Sequence, residues 1–423
     1  MPQLVNNPTY SNNAQIELTR DSALLEERLK PITAEMNAHA LRVNKAIFVQ
    51  NLESAEEVAN FNIDWCRHLA GDDTFRPNSA ADCGRALSAV GCDLRLNKKS
   101  ARPATDKDTL SELANSGISL AGAILDARSS ISRWSQLRAW APYARYGRVQ
   151  PVWDSLGTPH GRYTSDSPCL NNRIVPIRET IESEQGFTFL SLDLGQAEYV
   201  TWASLSGDPA LSEAFKAGRD FHIEMATSIR GQVQEWDLRG QCLRDAGKTI
   251  NFAILYQMKP HTLARKLGCS VETAIKIIST YYNRVPAAAF YITVLLTNAE
   301  IRGYVETHYG RRRYCPELLT KIGEREVHEI EKTIWNHANA GTAAEYLKWK
   351  QVRIWETLRA AGFDESQVWL ALNMFDETIW QVRDEVLEPV REIAEYVMRE
   401  QVKGFLPFKV GVGVGKTWAE ASR

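Results

Sequence analysis

Cysteine is scarce and unpatterned in this 423-residue chain: seven residues, an odd number, with no C-x-x-C pair and no Cys/His cluster at metal-ligand spacing. That usage excludes a disulfide framework or a structural zinc site and fits reduced thiols in a cytoplasmic protein. Long apolar runs are missing as well. None approaches the roughly 20 residues that span a bilayer, so no membrane partner is expected. The N-terminus, Met1-Pro-Gln-Leu-Val-Asn-Asn-Pro, lacks the charged-then-apolar pattern of an export signal. Charge of one sign is not in excess either. A net charge of −2 argues against a general nucleic-acid coat, although a basic cleft with acidic outer faces stays compatible with it. There is no internal repeat and no long low-complexity tract. The remainder, 44% hydrophobic and 24% charged, is that of a globular chain long enough for two to four domains with substantial cores.

Against that ordinary background one segment stands out. In Arg244-Asp-Ala-Gly-Lys248-Thr-Ile-Asn-Phe252-Ala-Ile-Leu-Tyr256, two cations and then two aromatics recur at strict four-residue steps. On an α-helix that spacing lays them in one slowly drifting stripe. A nucleoside triphosphate has the matching order, a polyanion at one end and a flat base and sugar at the other. Arg offers a planar fork to phosphate oxygens, and Lys a point charge that can also give up a proton. An amphipathic helix with a solvated basic edge produces the same pattern, so the stripe alone does not decide.

Two acid-bearing segments bracket it. Phe187-Thr-Phe-Leu-Ser-Leu-Asp193-Leu-Gly reads as a buried strand delivering Asp193 to a sheet end. Val368-Trp-Leu-Ala-Leu-Asn-Met-Phe375-Asp376-Glu377-Thr-Ile-Trp-Gln-Val382 reads as a tight hairpin with carboxylates at or beside its bend. Either acid taken singly is equally a surface residue at a strand end. Together with the cationic helix they form the set that two-metal phosphoryl transfer requires, acidic oxygens for Mg²⁺ and a cationic arm for the leaving phosphates.

At this point the chain resembles the family A DNA polymerases, of the DNA polymerase I type. Asp193-Leu-Gly-Gln-Ala-Glu198 is similar to their motif A, the Arg244–Tyr256 helix to motif B, and Phe375-Asp376-Glu377 to motif C. Gly161-Arg162-Tyr-Thr-Ser with Asn171-Asn172, Gly218-Arg-Asp-Phe-His222, Arg302-Gly-Tyr-Val-Glu-Thr-His-Tyr-Gly310 and Gly341-Thr-Ala-Ala follow in family order, from about residue 20 to the C-terminus.

The resemblance implies an α+β right-hand polymerase with an antiparallel β-sheet palm, helical fingers and a helical thumb. Its expected segments are a leader over 1–20, thumb over 21–150, palm over 151–217, fingers over 218–330 and palm again over 331–423. It implies template-directed, primer-dependent DNA synthesis, with primer-template DNA and dNTPs as partners. Asp193, Asp376 and the backbone carbonyl of Leu194 would hold two Mg²⁺ ions, with Mn²⁺ as a substitute. Lys248 would protonate the departing pyrophosphate, and Glu377 would assist. Arg244 and His222 would clamp phosphates, with Gln196, Phe252 and Tyr256 completing the nucleotide site. Glu198 would reject the ribose 2′-hydroxyl. Lys98, Lys99, Arg102, Arg162, Lys332 and Asn336 would contact DNA. A single-subunit RNA polymerase, which carries a small residue at the sugar gate, and a catalytically silent DNA-binding subunit are the alternatives.

Several positions depart from the family pattern. Phe375 stands where His is common, Gln257 where Gly usually follows the motif B tyrosine, Ala340 where Gln precedes Gly-Thr-Ala-Ala, and Lys332 where Arg is found. The Phe375 and Ala340 changes remove polar contacts to the primer end or duplex minor groove that check pair shape. No stretch before the thumb is long enough for a proofreading exonuclease domain. A separate exonuclease, a processivity factor, an unproofread repair role and a phage or mobile-element replicase in a bacterial host all fit that expectation, as a monomer. Gly411-Val-Gly-Val-Gly415-Lys416-Thr417 imitates a phosphate loop but has Val410 where that loop needs Gly, so a closing strand and turn is expected there.

Local patterning predicts helix from Leu24 to about Ala70 with a break at Pro31, polar turns over 71–108, and helix again over 109–140. Strand-like segments follow near 150–205, then mostly helices to 360.

Overall fold

The computed structural model describes residues 15–96, 103–170, 175–238, 242–319 and 324–422. Its centre is a four-stranded antiparallel sheet in the order Lys409–Gly415, Phe187–Gly195, Glu377–Arg383, Val368–Met374. Asp193 pairs with Glu377 on one side and with Gly411 on the other. Helix Leu387–Arg399 and the long helix Glu324–Ala360 pack with this sheet in one core. The fold is α+β, as the sequence implies.

Helix Glu324–Ala360 is buried on every side from His337 to Val352. Its charged residues there are partnered, as burial demands. Lys348 donates to Glu26 at 2.7 Å, Lys350 to the Val397 carbonyl at 2.7 Å, and Gln351 to Asn373 at 2.6 Å. Glu345 accepts from Arg311 at 3.0 Å.

A second core is helical and spans Tyr199 to Ile292, closed by Trp335. Asp208 is its anchor. This fully buried carboxylate accepts from Ala210, Leu211, Ala287 and Ala288 backbone N–H groups at 3.0–3.1 Å. It thereby satisfies the starts of helices Pro209–Lys216 and Pro286–Arg302 at once. A third core lies between the far ends of two antiparallel helices, Lys45–Ala70 and Ser119–Ala144, which Asn62 bonds together through Ser130 at 3.1 Å.

Local expectations shift in three places. Pro31 does not break its helix, which runs Ser22–Ala38. The ring sits on the exposed face while Leu25, Leu29, Ile32 and Met36 are buried and hold the turn. The chain turns instead at His39, before strand Leu41–Val43. The polar stretch 71–108 contains a helix, Ala80–Ala89, capped by Ser79. The strand-like reading fails past Gly195, because Ala197–Ser206 is a helix. Residues 1–14 and the basic loop with Lys98, Lys99 and Arg102 lie outside the described residues, but Ile16 already bonds the Gln401 carbonyl at 2.8 Å.

The phosphate-loop imitation is strand Lys409–Gly415 followed by helix Trp418–Ala421. The glycines have a packing reason. A Cβ at Gly413 would come to 1.9 Å from the Ala421 carbonyl oxygen, and one at Gly415 to 2.4 Å from Glu420 Cβ. They let the short helix fold back onto the strand. Among the described residues no helix is long and apolar enough to cross a membrane.

Candidate active site

The two aspartates are brought together by backbone pairing. Asp193 lies near the end of strand Phe187–Gly195, and Asp376 sits in the turn that joins Val368–Met374 to Glu377–Arg383, the strand paired with it. Leu194 N–H donates to the Asp376 carbonyl at 3.0 Å, locking strand end to turn. With no glycine available, Phe375 adopts the left-handed conformation, at φ 58°. On the other flank Gly411 faces Asp193, so no side chain competes for the space there.

Across from the sheet end stands helix Leu243–Leu255, with Tyr256 as its cap. Arg244, Lys248, Phe252 and Tyr256 line one cavity of about 440 Å³ with Arg162, Gln196, Glu198, His222, Phe375 and Asp376. Phe252 and Tyr256 stack nearly parallel, 11° apart with centroids at 6.2 Å, and Lys248 Nζ lies 5.9 Å from the Phe252 ring. The order along the stripe, cations then aromatics, is therefore kept in space.

Glu198 belongs to the helix that follows Gln196, a residue at φ 56° that turns the strand into that helix. It is only 8% exposed and pairs with Arg162, whose guanidinium also lies 5.6 Å from the Phe375 ring. Burial opposes charge on Arg162, but Glu198 and Asp376 outweigh it and hold the guanidinium above its ordinary value. Burial and then Glu198 push the Tyr256 phenol up, so it stays protonated beside that carboxylate. Arg162, expected at the DNA, forms one wall of this cavity.

Arg244 is oriented by Asp220, which takes its Nε at 2.7 Å while capping the helix of His222. His222 is buried, and burial lowers its pKa. Its Nδ1 meets Asn251 Nδ2 at 2.7 Å. Two further residues support the cavity from helix Glu324–Ala360. Asn339 donates to the Glu198 carbonyl at 3.1 Å, and the Trp335 indole donates to the Leu255 carbonyl. Asp220, Asn251, Trp335 and Asn339 were not among the expected site residues. Asp220 had a signal, its place two residues before His222; Trp335 and Asn339 had only their position beside Asn336.

Glu377 is not in the cavity lining. It is 9% exposed and its Oε1 accepts from the Ser191 and Ser422 hydroxyls at 2.6 and 2.5 Å. These two bonds tie the C-terminal end of the chain to the sheet. Lys332 and Asn336 lie half-buried on the long helix, outside the cavity, with Lys332 held by Glu329 at 3.1 Å.

Among the described residues no three His, Cys, Asp or Glu side chains form a ready metal cage. The donor set at the sheet end is two carboxylates with neighbouring backbone carbonyls. Such all-oxygen donors suit a hard cation that keeps waters and borrows phosphate oxygens, the habit of Mg²⁺.

The comparisons with known proteins agree with this arrangement. The family model of DNA polymerase family A matches residues 46–420. The chain is 31% identical, over 94% of its length, to the thermostable DNA polymerase I of Thermus aquaticus, of which it covers 48%. It is 29% identical over the same share to DNA polymerase I of Pseudomonas aeruginosa, covering 44% of it. It thus spans about half the length of the curated relatives it matches. In fold it is similar, at a TM-score of 0.82 and 23% identity, to the POL domain of Pol1 from M. smegmatis, solved in complex with DNA primer-template and dNTP, with 94% of this chain and 70% of that one covered. With its sheet-end aspartates, its cationic–aromatic helix and a family match over most of its length, the chain belongs to DNA polymerase family A.

Proposed function

We propose that this chain adds deoxynucleotides to a primer 3′-hydroxyl, directed by a template, through two-metal phosphoryl transfer. One observation carries the proposal. A single cavity joins Asp376, beside the strand end of Asp193, to a helix that presents Arg244, Lys248, Phe252 and Tyr256 in the order of a nucleoside triphosphate. In this reading the helices around the third core act as thumb, the second core as fingers, and the central sheet as palm.

Asp193 and Asp376 would hold the Mg²⁺ ions, with the Leu194 carbonyl beside them. Bound there, the metals would acidify the primer hydroxyl and stabilise charge on the leaving pyrophosphate. Arg244, fixed by Asp220, offers its fork to the outer phosphates, and His222 supplies a further donor. Lys248, exposed between Arg244 and Phe252, is placed to neutralise and protonate pyrophosphate. Phe252 and Tyr256 give the base and sugar a flat face. Beneath the sugar, Glu198 is braced by Arg162 and Tyr256, so an added 2′-hydroxyl meets a wall that cannot yield.

Primer extension in Mg²⁺ with dNTPs or rNTPs tests this. Template-dependent extension with dNTPs and little with rNTPs is expected. Preference for rNTPs would identify an RNA polymerase, and no extension with either would leave a silent binding subunit.

A further inference from the structure

His222 needs a partner that no phosphate can provide. A phosphate oxygen only accepts hydrogen bonds, so an imidazole serving the triphosphate must carry a proton on the nitrogen that faces it. The opposite nitrogen, Nδ1, lies 2.7 Å from the side-chain amide of Asn251. Asn251 has no solvent exposure, and His222 is 5% exposed, so bulk water does not compete for this contact. The contact is built by close helix packing. Gly247 lies one turn before Asn251, and a Cβ there would come to 2.1 Å from the His222 carbonyl oxygen. A side chain at 247 would drive the two helices apart.

We propose that Asn251 is a positioning residue for phosphate recognition. Its amide donates to His222 Nδ1, which fixes the imidazole in the neutral form protonated on Nε2 and gives the triphosphate a neutral donor. This deepens the reading of the cavity as a deoxynucleotide site and rests on it. The surroundings agree. Tyr199 meets the ring edge-on at 6.1 Å and Phe252 lies tilted at 6.2 Å. The charged groups facing it are Asp220 at its own helix start and Arg244 and Lys248 from the opposite helix, the last two opposing a third positive charge. The same helix thus carries cations on its open face and holds a neutral donor through its buried face.

Nitrogen-15 NMR of the histidine-labelled full chain, with His222 assigned by its loss in His222→Phe, reads the tautomer directly. Protonated Nε2 and a lone-pair Nδ1 are expected, and Asn251→Leu should leave a mixture of tautomers. Asn251→Leu should raise the dNTP KM about tenfold, the effect of one hydrogen bond, but less than about twofold in the His222→Phe background, since the two act as one unit. Equal effects in both backgrounds overturn the proposal. If Asn251→Leu does not fold, the wild-type spectrum still decides, because a proton on Nδ1 overturns it as well. A wild-type chain that incorporates no dNTP sinks the polymerase reading, whereas Nδ1 protonation in an active chain sinks only the role of Asn251.

Discussion

Asp193 and Asp376 carry different backbone duties, one near the end of a strand and the other in a turn, and the Leu194 hydrogen bond that joins the two segments runs through main-chain atoms. Leu194 bonds the Asp376 main-chain carbonyl, not its side chain. Asp193→Asn or Asp376→Asn should therefore abolish primer extension while primer-template binding stays within a few-fold, because duplex affinity comes mainly from phosphate contacts elsewhere. Extension above about a tenth of the wild-type rate would assign catalysis to other carboxylates. Glu198 differs, being part of an ion pair. Glu198→Ala should raise the rNTP/dNTP ratio of kcat/KM at least about tenfold, the scale of one lost conflict of roughly 1.4 kcal/mol. An unchanged ratio would place the sugar gate elsewhere. The departures from the family pattern also act here. Phe375 and Arg162 line a cavity of about 150 Å³ with Ala344, and Ala340 stands one turn before Ala344 on the same helix. In the polymerase reading, the Phe375 and Ala340 side chains offer no hydrogen bond for a mispaired terminus to forfeit. Phe375→His with Ala340→Gln should slow mismatch extension more than matched extension in a primer-extension assay; equal slowing would make them packing changes only. Much of the site was legible because a helix preserves four-residue spacing. Asn251 was not, since its contact depends on what another element places beside it, the His222 ring.

Elements follow the sequence where periodicity is strong and escape it where tertiary packing overrides a local rule. The hairpin at 368–383 reads correctly from its two β-prone runs. Helix Ala197–Ser206 does not, because its buried run Ala197–Ala203 has no polar face to show a helical period. The same holds for the middle of Glu324–Ala360, whose charged residues point into the protein and find partners. Gln257 shows a local rule ignored at a cost. It follows the cationic–aromatic helix at φ 48°, the left-handed region that explains why glycine is usual in this family position. Holding a non-glycine residue there costs roughly 1–2 kcal/mol, and glycine's greater chain entropy returns part of that, roughly 0.5–1 kcal/mol. Gln257→Gly should thus stabilise the chain by about 0.5–1 kcal/mol in urea denaturation. A loss of stability would mean that the Gln257 side chain is worth more than its strain.

At the scale of the whole molecule, two loops meet the long helix where it is buried, and each brings a histidine. His308 N–H bonds Thr342 Oγ1 at 2.9 Å, and the His308 ring stands edge-on to Phe405 at 5.1 Å. The His160 carbonyl oxygen is where a Cβ on Gly341 would reach 3.1 Å. Burial, then Arg162 near His160 and Arg20 near His308, lowers both imidazoles from 6.5 to about 4. In the unfolded chain they protonate near pH 6.5, whereas in the folded chain they stay neutral until about pH 4. The unfolded state then binds more protons across that window, so stability is fully present above pH 6.5 and is lost as pH falls toward 4. Each histidine should contribute on the order of 2 kcal/mol to that loss. His308→Phe puts an apolar ring against Phe405 and removes one titrating group. It should leave stability at pH 7 within about 1 kcal/mol of wild type, the range of a volume-conserving core change. Between pH 7 and pH 5 it should lose measurably less stability than wild type in chemical denaturation. An identical loss in both proteins would show that the acid sensitivity of the fold resides in other groups, with His308 titrating alike in folded and unfolded chains.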